Sequence, residues 1–270
     1  MDIHEFILET QAAMLRAATA DGAETQAARR EAATAAFTAA VVDLTEALKP
    51  AVVAEVGAHE AAFSRALARR LPDARVIAFE AHPRVHAKWS AACAGAGVDY
   101  RNACVSDANG TASFKAPLRG DGSERLFMGS LLEDSQSEGF REYQVETVAL
   151  DGALGADAGR PNVLWIDVEG AAGQVLAGAR ATLKASLAVY VEVETRARWR
   201  GQVQAPELSA VLADCGLRPV LRDIQRAAGE REWQYNVLFL RDELLVGPRP
   251  SVLGRLLGLG RSAGRQAPYS

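Results

Sequence analysis

Residues 51–60 have the sequence AVVAEVGAHE, in which an apolar run ends at Gly57. A short, nearly continuous apolar run is typical of a strand that is buried on both faces of a parallel sheet. A glycine at its end lets the backbone turn tightly and approach a ligand without a Cβ atom in the way. Residues 61–70 then have the pattern of a helix, whose free N–H groups suit an anion such as a carboxylate. This segment therefore predicts a strand, a turn and a helix, with a ligand site at the turn.

The same alternation of apolar runs and helical segments of about ten residues continues along the chain. Further apolar runs lie at 75–80, 98–105, 162–167, 187–193, 218–221 and 235–240. Helical patterns lie between them at 84–94, 171–185 and 207–215. Together with residues 51–56, the apolar runs supply about seven strands, enough for one doubly wound, mostly parallel α/β sheet. We therefore predict a single α/β domain over residues 51–245.

The middle of the chain departs from this alternation. Extended segments are predicted at 111–114, after the turn signal Asn109-Gly110, and again at 144–150. Between them, residues 118–139 are rich in Gly, Ser and Asp and predict a long loop. A loop of this length inside a compact domain is usually functional or mobile.

Residues 1–50 predict an N-terminal helical extension. The chain contains no Pro or Gly from residue 23 to residue 49, and Pro50 then ends the helix. The apolar residues that recur on one face of this helix are Phe37, Val41, Leu44 and Leu48. Such a face needs a partner, which is either the domain that follows or the same helix of a second subunit in a homodimer. We expect residues 246–270, rich in Gly and Arg, to form a flexible tail.

The composition argues against several classes of protein. The 270-residue chain has a formal charge of −4 and a pI near 5.7, whereas a general nucleic-acid binder carries a basic face. Its three cysteines are widely spaced and form neither a disulfide framework nor a zinc site. The first residues lack the features of a signal peptide, and no apolar run approaches the roughly 20 residues of a membrane span. We therefore expect a cytoplasmic protein without a nucleic-acid partner, a membrane span or a bound metal.

Acidic residues stand at the ends of three predicted strands, namely Glu55, Glu80 and the pair Asp167 and Glu169. In an open parallel sheet, ligands bind beyond the carboxyl ends of the strands. Glu80 follows Gly57 by about 20 residues, the usual spacing of an acid that accepts hydrogen bonds from ribose hydroxyls. Clustered carboxylates also suit a positively charged ligand. The spacing therefore predicts a site for a cationic nucleoside at this edge of the sheet.

Four motifs carry a resemblance to a known family, and they are EVGAH (55–59), FEAHP (79–83), IDVEG (166–170) and VLAGA (175–179). In order and with compatible spacing they resemble an FkbM-type methyltransferase over roughly Val52 to Leu240, and IDVEG is the most specific of them. The resemblance implies a class I, Rossmann-like methyltransferase fold with an antiparallel last strand. It further implies S-adenosylmethionine as the cofactor and methylation of a hydroxyl oxygen on a sugar, a glycan precursor or a hydroxylated metabolite.

The resemblance also implies roles for the residues at the strand ends. Glu55 and Gly57 would hold the methionine end of the cofactor, and Glu80 would hold its ribose. Asp107 or its neighbours would lie near the adenine. Asp167 and Glu169 would face the methyl group and the acceptor. The implied cofactor contacts also include Ala58, His59, Ala81 and Asp167.

The chain departs from the family pattern at four positions. The family usually has Asp where Glu55 stands, Asn where His59 stands and Gly where Ala61 stands. A Lys is common where this chain has Trp165. The first three departures lie in the turn that is expected to hold the cofactor.

An alcohol is a poor nucleophile, so methyl transfer to it needs a base that removes its proton during attack. The first candidates are Glu169 and Asp167, because they end the strand next to the first one. His82 and His59 are further candidates. The partner implied by this chemistry is a small-molecule or glycan acceptor.

Two other functions stay open at this point. A nicotinamide-dependent oxidoreductase is built on a similar sheet, but its first turn needs GxGxxG to hold a pyrophosphate, whereas residues 57–62 contain one glycine. A non-catalytic binding or scaffold protein would keep the fold without turnover. Binding of S-adenosylhomocysteine, of a nicotinamide dinucleotide or of neither separates the three functions.

Overall fold

A computed structural model of the chain describes residues 1–20, 25–223 and 234–246. In chain order its strands are β1 (Val52–Val56), β2 (Arg75–Phe79), β3 (Asp99–Arg101), β4 (Cys104–Ser106), β5 (Gly110–Pro117), β6 (Phe140–Ala149), β7 (Asn162–Ile166), β8 (Ser186–Glu194), β9 (Leu217–Arg222) and β10 (Gln234–Arg241). Its helices are α1 (Ile3–Thr19), α2 (Gln26–Leu48), α3 (Ala62–Arg70), α4 (Pro83–Gly95), α5 (Leu150–Leu154), α6 (Ala172–Ala177), α7 (Arg180–Ala185), α8 (Ala205–Asp214) and α9 (Asp242–Leu245).

The main sheet has seven strands in the order β3-β2-β1-β7-β8-β10-β9. Strands β1, β2, β3, β7 and β8 pair in parallel, whereas β10 runs antiparallel to both β8 and β9. This confirms the predicted α/β class and the antiparallel last strand. Because β2 and β7 lie on opposite sides of β1, the strand order reverses at β1, which is where such sheets bind ligands.

Both faces of the main sheet are covered, as the apolar runs predict. In β1, Val52, Ala54 and Val56 belong to the apolar core on one face, together with residues of α6 and α8. Val53 belongs to the core on the other face, together with residues of α2 and α3. Both faces of the sheet are therefore buried, and the ends of its strands are the positions that a ligand can reach.

The N-terminal helices pack on this second face. Phe37, Val41 and Leu44 of α2 are fully buried, and the Phe37 ring lies 5.5 Å from that of Tyr190 in β8. Burial of each such side chain stabilises the fold by about 1.5–3 kcal/mol. The apolar face of α2 is thus covered by its own domain, and pairing with a second subunit stays a prediction. Residues 247–270 of the expected flexible tail lie outside the described residues.

The predicted third strand, 98–105, is wrong as a single element. It divides into β3, in the main sheet, and β4, which joins a three-stranded sheet of order β4-β6-β5. The side-chain amide of Asn102 donates to the carbonyls of Glu80 and Ala81 at 2.8 and 3.2 Å. These bonds hold the chain in a bend between the two strands, and the apolar pattern alone does not contain that information.

The predicted helix at 171–185 is also two elements, α6 and α7, which are separated at Gly178. A Cβ atom on Gly178 would lie 2.0 Å from the carbonyl oxygen of Ser106, so β4 approaches the backbone closely here. Asp151 then accepts hydrogen bonds from the N–H groups of Ala181 and Thr182 at 2.8 and 2.9 Å and caps the start of α7. The break lets the small sheet dock against the main one.

The long segment 118–139, here called the cleft loop, connects β5 to β6 and contains neither helix nor strand, as predicted. Among the described helices, none is both long enough and apolar enough to cross a membrane. In the same described residues, no group of three or more His, Cys, Asp or Glu side chains is arranged to hold a metal ion.

Candidate active site

A cleft lies at the carboxyl ends of β1, β2 and β7, where the strand order reverses. The cleft loop closes one side of it, and the small sheet contributes part of the wall. The residues that line it are Val56, Gly57, His59, Phe79, Glu80, Ala81, Ala103, Cys104, Val105, Phe114, Leu126, Phe127, Gly129, Ser130, Leu131, Asp167, Val168, Glu169 and Ala171. The structure therefore brings six of the predicted site residues to one cleft, namely Gly57, His59, Glu80, Ala81, Asp167 and Glu169.

Gly57 is the closest point of contact between the turn after β1 and the end of β7. Its φ is +78°, in the left-handed region, and a Cβ atom there would lie 1.9 Å from the carbonyl oxygen of Asp167. The N–H groups of Gly57 and Ala58 both donate to the carbonyl of Phe79, at 3.0 and 2.9 Å. Only glycine fits this position, because both the backbone angle and the neighbouring carbonyl exclude a side chain.

The next two left-handed residues are His59, with φ +45°, and Ala61, with φ +53°. These are the positions at which the resembling family usually has Asn and Gly, the two residue types that tolerate this conformation best. The His59 N–H donates to Glu80 Oε2 at 2.8 Å, and its carbonyl accepts a hydrogen bond from the Tyr100 hydroxyl. The surrounding contacts thus hold a turn that the residue types themselves disfavour.

Glu55 points away from the cleft, into the core beneath α3. Its Oε2 accepts a hydrogen bond from the N–H of Ser64 at 2.8 Å, in the first turn of that helix. Burial raises the pKa of Glu55 to about 7, although the hydrogen bonds from Ser64 oppose the shift. The structure places Glu55 under the turn as a support for α3, and neither Glu55 nor the buried Ala58 lines the cleft.

Glu80 ends β2 at the cleft wall and is almost fully buried. Its two carboxylate oxygens accept one hydrogen bond each, from the His59 N–H at 2.8 Å and from the His82 N–H at 2.7 Å. Burial still raises its pKa to about 7, because the desolvation outweighs these two bonds. Each oxygen keeps an unused lone pair, so the carboxylate can accept further donors from a ligand.

Asp167 and Glu169 follow β7 on the opposite side of the cleft. Asp167 is exposed at the cleft, where partial desolvation raises its pKa to about 6 although a hydrogen bond with Glu192 opposes the shift. Desolvation, followed by repulsion from Asp167, raises the pKa of Glu169 to about 8. Ser130 of the cleft loop donates to the carbonyl of Glu169 and joins the loop to this strand end.

Two further acids near this pair were not predicted from the sequence as site residues. Glu192 and Glu194 of β8 share one strand face. The charge of Glu194 adds to the repulsion around Glu169, whereas a hydrogen bond with Glu192 lowers the pKa of Asp167. Burial raises the pKa of Glu194 to about 7 and that of Glu192 well above its usual value. Their i, i+2 spacing at a strand end was the signal that could have identified them.

His82 and Asp107 are placed outside the cleft. The His82 ring is buried, with Nε2 2.9 Å from Glu124 and Nδ1 accepting from the N–H of Arg84 at 3.3 Å. Asp107 is exposed and accepts from the Ser106 hydroxyl at 3.0 Å. The wall nearest to it is formed by Ala103, Cys104 and Val105.

Sequence similarity relates this chain to known methyltransferases. The model of the methyltransferase FkbM domain matches residues 52–219. The 2-O-methyltransferase NoeI from Sinorhizobium fredii is 28% identical over 177 residues, which are 60% of this chain and 71% of that protein.

Two solved structures were also compared. Magnesium protoporphyrin IX methyltransferase (ChlM) from Synechocystis PCC 6803 with bound SAM has a TM-score of 0.43 at 10% identity, covering 88% of this chain and 95% of that one. Precorrin-6y C5,15-methyltransferase from Geobacter metallireducens has a TM-score of 0.39 at 10% identity, covering 74% and 87%. The family model alone spans more than half of the chain, and the protein is therefore a methyltransferase that belongs to the FkbM family.

Proposed function

We propose that this protein transfers a methyl group from S-adenosylmethionine to a hydroxyl oxygen of a sugar, a glycan precursor or a hydroxylated metabolite. Family membership favours methyl transfer over a nicotinamide-dependent oxidoreductase and over a non-catalytic scaffold. The relative NoeI is a 2-O-methyltransferase, which supports oxygen as the acceptor atom. We expect the enzyme to act in the cytoplasm, and a homodimer through the N-terminal helices remains a prediction.

The residues of the cleft fit this cofactor. Gly57 lines the cleft without a side chain that would narrow it, and Glu80 in the same lining presents two carboxylate oxygens. When bound, the cofactor supplies a methyl group on a positively charged sulfur. Glu80 would accept hydrogen bonds from the ribose hydroxyls, and the carboxylates of the cleft would balance the positive charge of the ligand.

The acceptor side has two carboxyl groups that can take a proton. We propose that Glu169 accepts the proton of the acceptor hydroxyl as the oxygen attacks, with Asp167 as the neighbouring group that keeps its pKa high. A base works best when its pKa lies near the working pH, and the Glu169 pKa of about 8 meets this condition. The alignment of the attacking oxygen with the methyl group is a positioning task for the cleft walls.

The proposal rests on one observation, which is that carboxylates in two different environments lie on opposite sides of one cleft. Glu80 is held by backbone donors on one side, and Asp167 and Glu169 repel each other on the other side. Incubation of the protein with methyl-labelled S-adenosylmethionine and a panel of free sugars, sugar nucleotides and polyhydroxylated metabolites tests it. We expect label in an O-methyl group, identified by NMR of the product; label in an N-methyl or C-methyl group would refute it.

A further inference from the structure

Outside the cleft, one buried carboxylate collects an unusual number of donors. Glu124 lies in the cleft loop and its side chain is only 2% exposed. Nε2 of His82 lies 2.9 Å and the hydroxyl of Tyr143 2.8 Å from its Oε2, whereas Arg84 and Arg141 donate to its Oε1 at 2.8 and 2.7 Å. These donors hold the pKa of Glu124 below its usual value against the opposing effect of burial. The carboxylate is therefore ionised and fully engaged.

The neighbouring His82 ring has a defined tautomer. Its Nδ1 accepts a hydrogen bond from the backbone N–H of Arg84 at 3.3 Å, so the ring proton must lie on Nε2. Nε2–H can then donate to Glu124, and a neutral ring satisfies both contacts. Burial lowers the pKa of His82, which agrees with the neutral form.

The same histidine also contacts the Glu80 carboxylate at the cleft wall. Its backbone N–H donates to Glu80 Oε1 at 2.7 Å, and its ring is the N-cap of α4. A continuous path of hydrogen bonds therefore runs from Glu124 through His82 to Glu80. This path holds the backbone N–H of His82 in place, and that N–H is one of the two donors that orient the Glu80 carboxylate.

Glu124 also fixes the near end of the cleft-lining segment. Its own carbonyl accepts from the Arg119 guanidinium at 2.8 Å, and the N–H of Arg125 donates to the carbonyl of Pro117 at 2.8 Å. Leu126 and Phe127, which line the cleft, follow at once. The Glu124 carboxylate itself joins this segment to α4 through Arg84 and to β6 through Arg141. The position of the loop and the orientation of Glu80 therefore depend on the same side chain.

We propose that Glu124 is a positioning residue for cofactor binding, acting on Glu80 through His82 while it holds the cleft loop in place. This rests on the proposed role of Glu80 toward the cofactor ribose. It predicts that cofactor affinity depends on a side chain that does not line the cleft.

The cleft loop offers a matched control at its far end. Asp134 is also a buried carboxylate, and it accepts two hydrogen bonds from Arg198, at 3.1 and 2.8 Å. This contact ties the loop to the segment after β8, on the other side of the cleft from Glu80. If any loosening of the cleft loop weakened cofactor binding, substitution of Glu124 and substitution of Asp134 would lower the affinity equally.

The test is calorimetry of S-adenosylhomocysteine binding to the full chain. We expect Glu124→Gln, which removes the charge between two guanidinium groups and replaces one acceptor oxygen by an amide N–H₂, to weaken binding about tenfold, within the range for coupling through a side-chain network. Asp134→Asn should change the affinity less than about twofold, since it leaves the path to Glu80 intact. His82→Gln, which removes the ring but keeps the backbone N–H, should also weaken binding. It is used in place of Glu124→Gln if the Glu124→Gln protein does not fold.

A double-mutant cycle separates positioning from general damage. If Glu124 acts through Glu80, the variant Glu80→Gln/Glu124→Gln binds no more weakly than Glu80→Gln alone, because the path has already lost its end point. Additive losses, equal losses in Glu124→Gln and Asp134→Asn, or unchanged affinity in folded Glu124→Gln would each overturn the inference. Absence of binding by the wild-type protein would instead refute the proposed function itself.

Discussion

The two sides of the cleft use the same residue types in opposite ways. On the β2 side, Glu80 accepts hydrogen bonds from two backbone N–H groups and has neighbours that hold it in one orientation. On the β7 side, repulsion from Asp167 and from Glu194 of β8 adds to the effect of desolvation on Glu169. Desolvation raises the carboxyl pKa values on both sides of the cleft, but only on the β7 side do other carboxylates contribute to the shift. The first arrangement suits binding and the second suits proton transfer.

The largest expected effect is at the turn that joins the two sides. We expect Gly57→Ala to abolish S-adenosylhomocysteine binding and to lower stability by about 3 kcal/mol or more, since the new methyl group meets the Asp167 carbonyl and its φ is strained. Gly97→Ala is the control, because Gly97 has φ +81° but open space around its Cβ position. The comparison uses urea unfolding and calorimetry. Similar losses in the two variants would mean that strain alone matters at Gly57.

The second prediction concerns the proton acceptor. Once an acceptor is identified, Glu169→Gln should lower kcat by about 10²–10⁴-fold, the usual contribution of a general base, while binding of S-adenosylhomocysteine stays intact. The wild-type rate should rise with pH toward a plateau above about 8, because Glu169 acts only when it is deprotonated. A rate that does not respond to pH between 6 and 9, or a full rate in the variant, would exclude Glu169 as the base.

The third prediction concerns stability on the β7 side. Because burial raises the folded-state pKa of Glu194 to about 7, the folded protein holds this proton at a pH where the unfolded chain has lost it. Glu194 therefore contributes stability below about pH 4.5 that is lost as the pH rises through 7, by about 3 kcal/mol in all and by about 2 kcal/mol between pH 5 and 7.5. Glu194→Gln should reduce the fall in stability between pH 5 and 7.5 by that amount. The exposed control Glu9→Gln should keep the wild-type pH dependence, and identical slopes in both variants would contradict the assignment.

The smallest effect is expected in the left-handed turn. Ala61→Gly relieves a strained φ but removes a buried methyl group, so its free energy of unfolding should change by less than about 1 kcal/mol. Ala62→Gly, at an exposed position in the first turn of α3, gains no relief and should destabilise by about 0.5–1 kcal/mol more than Ala61→Gly. Urea unfolding of both variants measures the difference. A larger loss for Ala61→Gly would show that the turn carries no strain.

Local patterns are sufficient to predict most of the main sheet and the edge at which the site lies. Apolar runs and glycine turns depend on neighbours in sequence, so the amino-acid sequence alone places Gly57, Glu80 and Asp167 at one edge of the sheet. The division of the third strand could not be predicted, because it depends on Asn102 reaching the carbonyls that follow β2. The pattern of a strand carries no information about such a contact.

The same limit applies to the site. Glu192 and Glu194 interact with Asp167 because β8 pairs with β7, and Glu124 meets His82 only after the cleft loop folds back over the start of α4. Glu55 has the spacing of a ligand-binding acid but turns beneath α3 instead. Spacing predicts which residues reach a strand end, whereas the direction in which a side chain points depends on the packing around it.

The most direct measurement is calorimetric titration of S-adenosylhomocysteine into the wild-type protein, Glu80→Ala and Glu169→Gln. We predict binding to the wild-type protein, a loss of affinity of at least about tenfold in Glu80→Ala from the loss of charged hydrogen bonds, and nearly unchanged binding in Glu169→Gln. No heat with the wild-type protein, or equal affinity in all three proteins, would contradict the assignment of the two sides of the cleft.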